Sequence, residues 1–172
     1  MSRAEVLLLW PTTVIHRLVP IAMDPMPPRA AAGRPLAEAL PPADLDALRT
    51  AVDMAATALR ASPSTRARLE STDVERWEQG HCTVPVYCPE PWHGLFCLGA
   101  ETSGSGADPS EVLVLDPRHG SLTAPCPGFP FGRSLRIPLL PRTLLMMPGW
   151  LPWSVVPLRP GCEVLIARLS PG

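Results

Sequence analysis

Proline occupies 24 of the 172 positions, and its spread along the chain constrains the fold more than any other feature. The ordinary share is about 5%. Each proline fixes φ, removes a backbone donor and is excluded from helix interiors and central strands. A chain punctuated this often favours short strands joined by fixed turns. One stretch escapes the rule. Leu45, Leu48, Val52 and Leu59, with Ala55 and Ala56 between them, fall on one helical face. Pro41-Pro42 stand just ahead, Asp44 is placed to cap the N-terminus, and Ser62-Pro63 marks the stop. A second helix is expected from Ser64 to about Glu70, completing a helical layer over one face of a sheet.

The rest reads as β. Val6–Trp10 and Val14–Val19 form two short strand pieces around Pro11-Thr12-Thr13, and residues 23–35, with four prolines, predict a loop. From Trp77 onward, apolar runs recur at Leu95–Leu98, Val112–Leu115, Leu135–Ile137, Leu139–Met147, Trp153–Val156 and Val164–Leu169. Ser103–Gly106, His119-Gly120, Pro127-Gly128 and Pro160-Gly161 separate them. Such spacing predicts a sandwich or barrel. The expectation is one domain over 1–172, with N-terminal strands and supporting helices in 1–76 and a β core in 77–172. That length buries a core without staples.

Charge and hydropathy narrow the partners. A net charge of −1 and a pI near 6.4 give no electrostatic footprint for nucleic acid or an anionic membrane. No segment approaches the roughly 20 apolar residues that span a bilayer. Val6–Leu9 is too short for a signal-peptide core and Pro11 ends it. Five cysteines, an odd number, predict reduced thiols and a cytoplasmic setting. Neither a G-x-S-x-G nucleophile motif nor a glycine-rich phosphate loop occurs.

Three segments, in order, carry a family resemblance. Trp92-His93-Gly94-Leu95-Phe96-Cys97-Leu98 resembles an "S-G-V-Y-Y" strand, and Leu113–Arg118 resembles "F-x-D-P-R". Leu139 to Ser170 resembles a closing hairpin with the signature "F-P-x-W-L-P-H-S-V", matched from Met147 to Val155. Together these resemble a family of 2-oxoglutarate/Fe(II)-dependent oxygenases. The resemblance implies a mainly β (α+β) double-stranded β-helix, a cupin-like jelly roll, of about eight core strands with helices on one face.

Oxygenases of this kind hold Fe(II) with two histidines and a carboxylate, leaving positions for 2-oxoglutarate and dioxygen. By that resemblance the distal histidine falls at Trp153, which cannot bind a metal. The first ligands fall near Val86–Glu90, which lacks histidine. The 2-oxoglutarate-binding base falls at Cys162–Leu165, with Arg159 and Arg168 only flanking it. Alternation from Val164 puts Ile166 and Arg168 on one face, so Arg168 can point into the barrel. The expectation is an oxygenase scaffold with no metal and no cofactor; Fe(II) and 2-oxoglutarate on atypical ligands are the alternative.

His93, Tyr87 and Glu90 are the catalytic candidates. An imidazole titrates near pH 6.5 and moves protons either way. Tyr87 is the sole tyrosine and Glu90 the sole acid between Glu78 and Glu101. The plainer reading of His93 is a satisfied strand-edge histidine. Trp92, Trp153, Trp150 and Arg168 are the substrate-binding candidates, although Trp150 also matches a tryptophan that the family carries in its hairpin. His81, Cys82, Cys88, His93 and Cys97 cluster metal-ligand types without C-x-x-C or H-x-x-x-H spacing, and buried thiols explain the cysteines equally well. Asp116, Arg118 and His119 read as turn residues, and Met146 and Met147 as core filling.

Three functions remain open: a metal-independent tailoring enzyme for a small organic substrate (cyclisation, isomerisation or another proton transfer), an oxygenase with atypical ligands, and a non-catalytic ligand-binding protein. For the oxygenase reading, His81 with Glu90, or His93 with Glu101, would join His16 or His119 at the metal. Proline- and alanine-rich usage with arginine in place of lysine hints at a GC-rich bacterial genome and secondary metabolism. A small molecule is the expected partner, and a homodimer is the assembly allowed for.

Overall fold

A computed structural model describes residues 5–9, 12–22, 31–60, 67–102, 110–116 and 134–172. Nine strands lie among them: β1 Glu5–Leu9, β2 Thr12–Leu18, β3 Val74–Trp77, β4 Trp92–Thr102, β5 Glu111–Val114, β6 Leu135–Pro138, β7 Thr143–Pro148, β8 Trp153–Val155 and β9 Cys162–Leu169. Six form an antiparallel sheet in the order β1-β2-β7-β4-β9-β3, and three form a second, β6-β5-β8. Strands from both halves of the chain therefore share the larger sheet.

Strand β4 shows why the sheets lie where they do. Its residues from Trp92 to Gly99 are buried without interruption, the pattern of a strand covered on both faces. Phe96 and Leu98 project with Trp92 to one side, into a core shared with Leu36, Leu48, Val52 and Ala55. Leu95 and Cys97 project to the other, against Val112, Val114, Ile137, Trp153 and Val155 of the smaller sheet. The molecule is thus three layers: helices, larger sheet, smaller sheet. Leu98 is the extra residue of a bulge, since Cys97 pairs with Ile166 and Gly99 with Leu165. The bulge re-phases the strand, so that Ala100, not Gly99, returns to the inter-sheet core.

Helix α1 spans Leu36–Ala39 and α2 spans Pro42–Ala58. Pro42 suits the first helical turn, where its missing N–H has no intrahelical partner anyway. Asp44 does not cap α2, contrary to expectation. It lies inside the first turn, buried, and its Oδ1 accepts the backbone N–H of Ala22 at 2.8 Å, tying the chain after β2 to the helix. Arg60, at φ 58°, takes the left-handed turn that ends the helix. The second helix is corrected where it is described. Ala67 forms an isolated bridge with Pro171, and Leu69–Ser71 is only a 3-10 turn; Ser64 to Arg66 lie outside the described residues. The expected run Leu139–Met147 is shortened, because Arg142 turns at φ 65° and β7 starts at Thr143. The turns at 103–106, 119–120 and 127–128 lie outside the described residues, as do Arg118, His119 and Cys126.

Candidate functional site

One end of the space between the sheets is open, and a cavity of about 180 Å³ lies there. Its inner wall is His93 at the start of β4, Leu95 two residues on, and Trp153 at the start of β8. Arg168, near the end of β9, forms the rim. It shares a face with Val164 and Ile166, both in the inter-sheet core, but is itself exposed. Residues 83–91 cross this end as a strap, and its Val86, Tyr87 and Cys88 complete the wall.

The strap is fastened to β8 and to the turn that precedes it. Val86 and Trp153 exchange backbone hydrogen bonds at 2.8 and 3.2 Å, extending the smaller sheet beyond β8. Thr83 Oγ1 accepts the N–H of Val155, Cys88 donates to the Gly149 carbonyl, and Gly149 donates to Pro91. A Cβ at Gly149 would collide with the carbonyls of Glu90 and Cys88, so glycine is required by close backbone approach.

His93 and Trp153 face each other across the two sheets, ring centroids 5.5 Å apart and planes 29° apart. His93 is 6% exposed and Trp153 2% exposed. Neither ring nitrogen of His93, nor Trp153 Nε1, has a hydrogen-bond partner. Buried polar groups are almost always partnered, so three such atoms on one cavity wall are a signal. Burial disfavours the imidazolium and pushes the His93 pKa down to about 4. His93 is therefore neutral at pH 7, presenting one N–H donor and one lone-pair acceptor.

The rim is charge-balanced. Arg168 Nη2 donates to Glu75 Oε2 at 2.9 Å, and Trp77 Nε1 donates to the same oxygen at 2.9 Å. Arg168 also lies 5.9 Å from the Trp77 ring centre, and His81 stacks on that ring at 4.8 Å and 9°. Burial first, then the nearby Arg168 charge, lowers the His81 pKa; Glu75 opposes them. Glu75 had no signal as a site residue, because its pairing with Arg168 crosses strands 93 positions apart.

Of the other sequence-derived candidates, Tyr87 is on the wall but 67% exposed. Glu90 is exposed on the strap and does not line the cavity. Trp150 is exposed in the turn that joins β7 of the larger sheet to β8 of the smaller, away from the cavity wall. Trp92 is corrected outright. It is fully buried in the helix-side core, because adjacent strand residues point to opposite faces and His93 takes the inner one. Cys97 is buried, and its thiol is pushed up to about 12, which leaves it unreactive at neutral pH.

Metal binding can be tested against these donors. Among the described residues no three His, Cys, Asp or Glu side chains gather as a metal site requires. The cavity wall offers one imidazole and one thiol, and the indole at 153 has no donor lone pair. His93 and Glu101 stand eight residues apart on one strand, roughly 26 Å, and cannot share an ion. The donors of the mouth do not fit an Fe(II) triad.

No family model and no curated protein matches this sequence. Solved structures do match in shape. A Pseudomonas putida prolyl-4-hydroxylase superposes with a TM-score of 0.50 at 9% identity, over 74% of this chain and 66% of that one, just short of two thirds. An oxidoreductase of the 2OG-Fe(II) oxygenase family from Burkholderia pseudomallei aligns over 98% of this chain and 73% of that one, at 14% identity and a TM-score of 0.42. Two facing antiparallel sheets with helices on one side, together with the first of these likenesses, define the architecture: the chain is a double-stranded β-helix. At such identities the likeness is one of fold.

Proposed function

We propose that this protein is a metal-independent enzyme built on an oxygenase-type fold, carrying out a proton transfer within a small organic substrate, such as an isomerisation or cyclisation, at the His93–Trp153 mouth. The observation that carries the reading is His93: a buried imidazole on a cavity wall with both ring nitrogens unpartnered. A structural histidine in that setting leaves two polar atoms desolvated without return, and a turn of the ring toward an entering substrate would partner them. Trp153, at the position where the family signature has histidine, gives the substrate an apolar wall. Tyr87 at the rim is the second proton-handling group. The GC-rich style of the sequence supports bacterial secondary metabolism as the setting.

The energetics permit the chemistry. Placing a proton on a group of pKa about 4 at pH 7 costs about 4 kcal/mol. An enzyme turning over at about 10 s⁻¹ works against a barrier of roughly 16 kcal/mol, so transient protonation of His93 fits within it. Each proton taken by the imidazole leaves one substrate position and returns to another, so no oxidant is consumed.

The test combines metal analysis with turnover. The purified protein is expected to carry far less than one iron per chain and to form no succinate from 2-oxoglutarate under dioxygen. Substrates suggested by neighbouring biosynthetic genes are then followed for solvent deuterium incorporation, which His93→Ala should slow by roughly 10²-fold or more. Stoichiometric iron held by side chains with succinate formation, or unchanged turnover in His93→Ala, refutes the reading.

A further inference from the structure

The mouth is apolar at its floor and cationic at its open edge. Leu95, Trp153 and Leu169 line it from buried positions, whereas Tyr87, Arg168 and Ser170 line it from exposed ones. From the placement of Arg168 on that edge, and from the two groups that fix it there, we infer that the substrate is an organic acid whose carboxylate lies on the Arg168 guanidinium and whose apolar body lies on Leu95 and Trp153. This rests on the proposed mouth being the binding site and goes beyond it by fixing the chemical class.

Charge selects the head group. No carboxylate lines the cavity and burial holds His93 neutral at pH 7, so the guanidinium is the one charge on the wall. A guanidinium carries five N–H donors. Among the described residues only Nη2 of Arg168 is engaged, by Glu75 at 2.9 Å, and Glu75 itself lies off the cavity wall. Trp77 Nε1 donates to the same carboxylate oxygen, and the Trp77 ring lies 5.9 Å from the guanidinium carbon. Both contacts hold the arginine in place while its other donors remain unused. An arginine fixed in advance loses less freedom when it binds, and its planar fork matches a carboxylate. The side chain is 43% exposed, so an anion bound there keeps part of its hydration and avoids the cost of a buried ion.

Register selects the body. Leu95 pairs directly with Arg168 across β4 and β9, which sets the apolar floor beside the cation. His93 stands two residues before Leu95 on the same face, a diagonal neighbour roughly 7–8 Å from Arg168, so one small molecule can touch both. Anchoring at Arg168 needs no bond to the covered ring nitrogens of His93 and Trp153. It is also distinct from the 2-oxoglutarate-binding base of the oxygenases, which the resemblance puts earlier on β9, at Cys162–Leu165.

The probes are benzoate, charged at pH 7, and benzamide, its uncharged counterpart of the same shape. Binding is read from the ring-current shift of the Trp153 indole N–H resonance, assigned by its loss in Trp153→Phe. Fragments of this size bind at roughly millimolar Kd at the efficiency of good small ligands. Benzoate is expected to give a saturable shift with a Kd about tenfold below that of benzamide, a preference that added salt reduces. Arg168→Gln should abolish the preference by weakening benzoate about tenfold and leaving benzamide unchanged. Arg168→Lys, which keeps the charge without the fork, should lose less. Benzamide binding as well as benzoate, or a preference that survives in Arg168→Gln, overturns the inference and leaves the mouth as a site. So does 2-oxoglutarate displacing benzoate at concentrations below the benzoate Kd, which would make the mouth a dicarboxylate site. If neither probe shifts the indole, the mouth is not a binding site, and this inference and the proposed function fall together.

Discussion

The two faces of the larger sheet bury comparable apolar surface and treat their polar atoms differently. On the helix side the buried carboxylate of Asp44 is committed to Ala22, while the indole N–H of Trp92 and Nε of Arg17 and Arg76 have no partner. That indole packs among Phe96, Leu98 and the helix residues of a filled core. On the inner face, His93 and Trp153 hold three unpartnered atoms around a cavity. Tight packing makes the first face a source of stability. The second face gives up some of that packing to a cavity beside His93 and Trp153. The two adjacent residues Trp92 and His93 belong to these two worlds.

The largest expected effect breaks the helix-side face. Trp92→Ala should cost about 3–5 kcal/mol in chemical denaturation, as a large side chain is removed from a fully buried site. A loss below about 1 kcal/mol would mean that this face is not the tighter of the two.

The inner face should instead show itself through pH. In the unfolded chain His93 takes a proton near pH 6.5, but in the folded chain only near 4. Above pH 6.5 it is neutral in both states and contributes nothing. As pH falls from about 6.5 to 4 the unfolded state binds the extra proton, and stability should drop by about 3 kcal/mol before levelling off. His81, shifted in the same direction, adds to the slope. His93→Gln should flatten the profile over that window; a profile unchanged by the substitution would show that His93 is not buried neutral.

Next in size is the strap. Gly149→Ala should cost about 2 kcal/mol, because the added Cβ meets backbone carbonyls that cannot yield without moving 88–90. The damage should be selective, with His93-dependent turnover lost more completely than thermal stability. Equal loss of both would mean that the strap serves the whole fold and not the mouth.

The smallest effect belongs to the rim. Arg168→Ala removes a partly exposed pair with Glu75 and should change stability by less than about 1 kcal/mol. If the guanidinium mainly neutralises Glu75, the variant should keep its His93-dependent turnover. A tenfold loss would make Arg168 a direct ligand contact.

Much of the fold was legible. The runs at Leu95–Leu98, Leu135–Ile137 and Val164–Leu169 lie in strands, as does Val112–Leu115 but for its last residue, because apolar stretches bounded by Gly and Pro turns allow little else. The α2 face of Leu48, Val52 and Ala55 was equally readable from its spacing. The candidate site was legible in part. Alternation alone put Arg168 with Ile166, and the same rule, applied to Trp92 and His93, would have removed Trp92 from the cavity wall. Asp44 escaped because its partner, the backbone of Ala22, lies 22 residues back on another segment.

By itself the sequence determined where most of the strands lie, which side chains share a face, and that position 153 carries an indole. Those properties follow from local sterics and from the two-residue period of a strand. It did not determine which face meets the helices and which meets the second sheet, nor that His93 and Trp153, 60 positions apart, would stack across the gap. Both faces of β4 are apolar, and period two separates them without labelling them. Only the antiparallel pairing of β4 with β7 and β9, and the strap bonded to Trp153, gave each face its neighbour and left the mouth open beside His93.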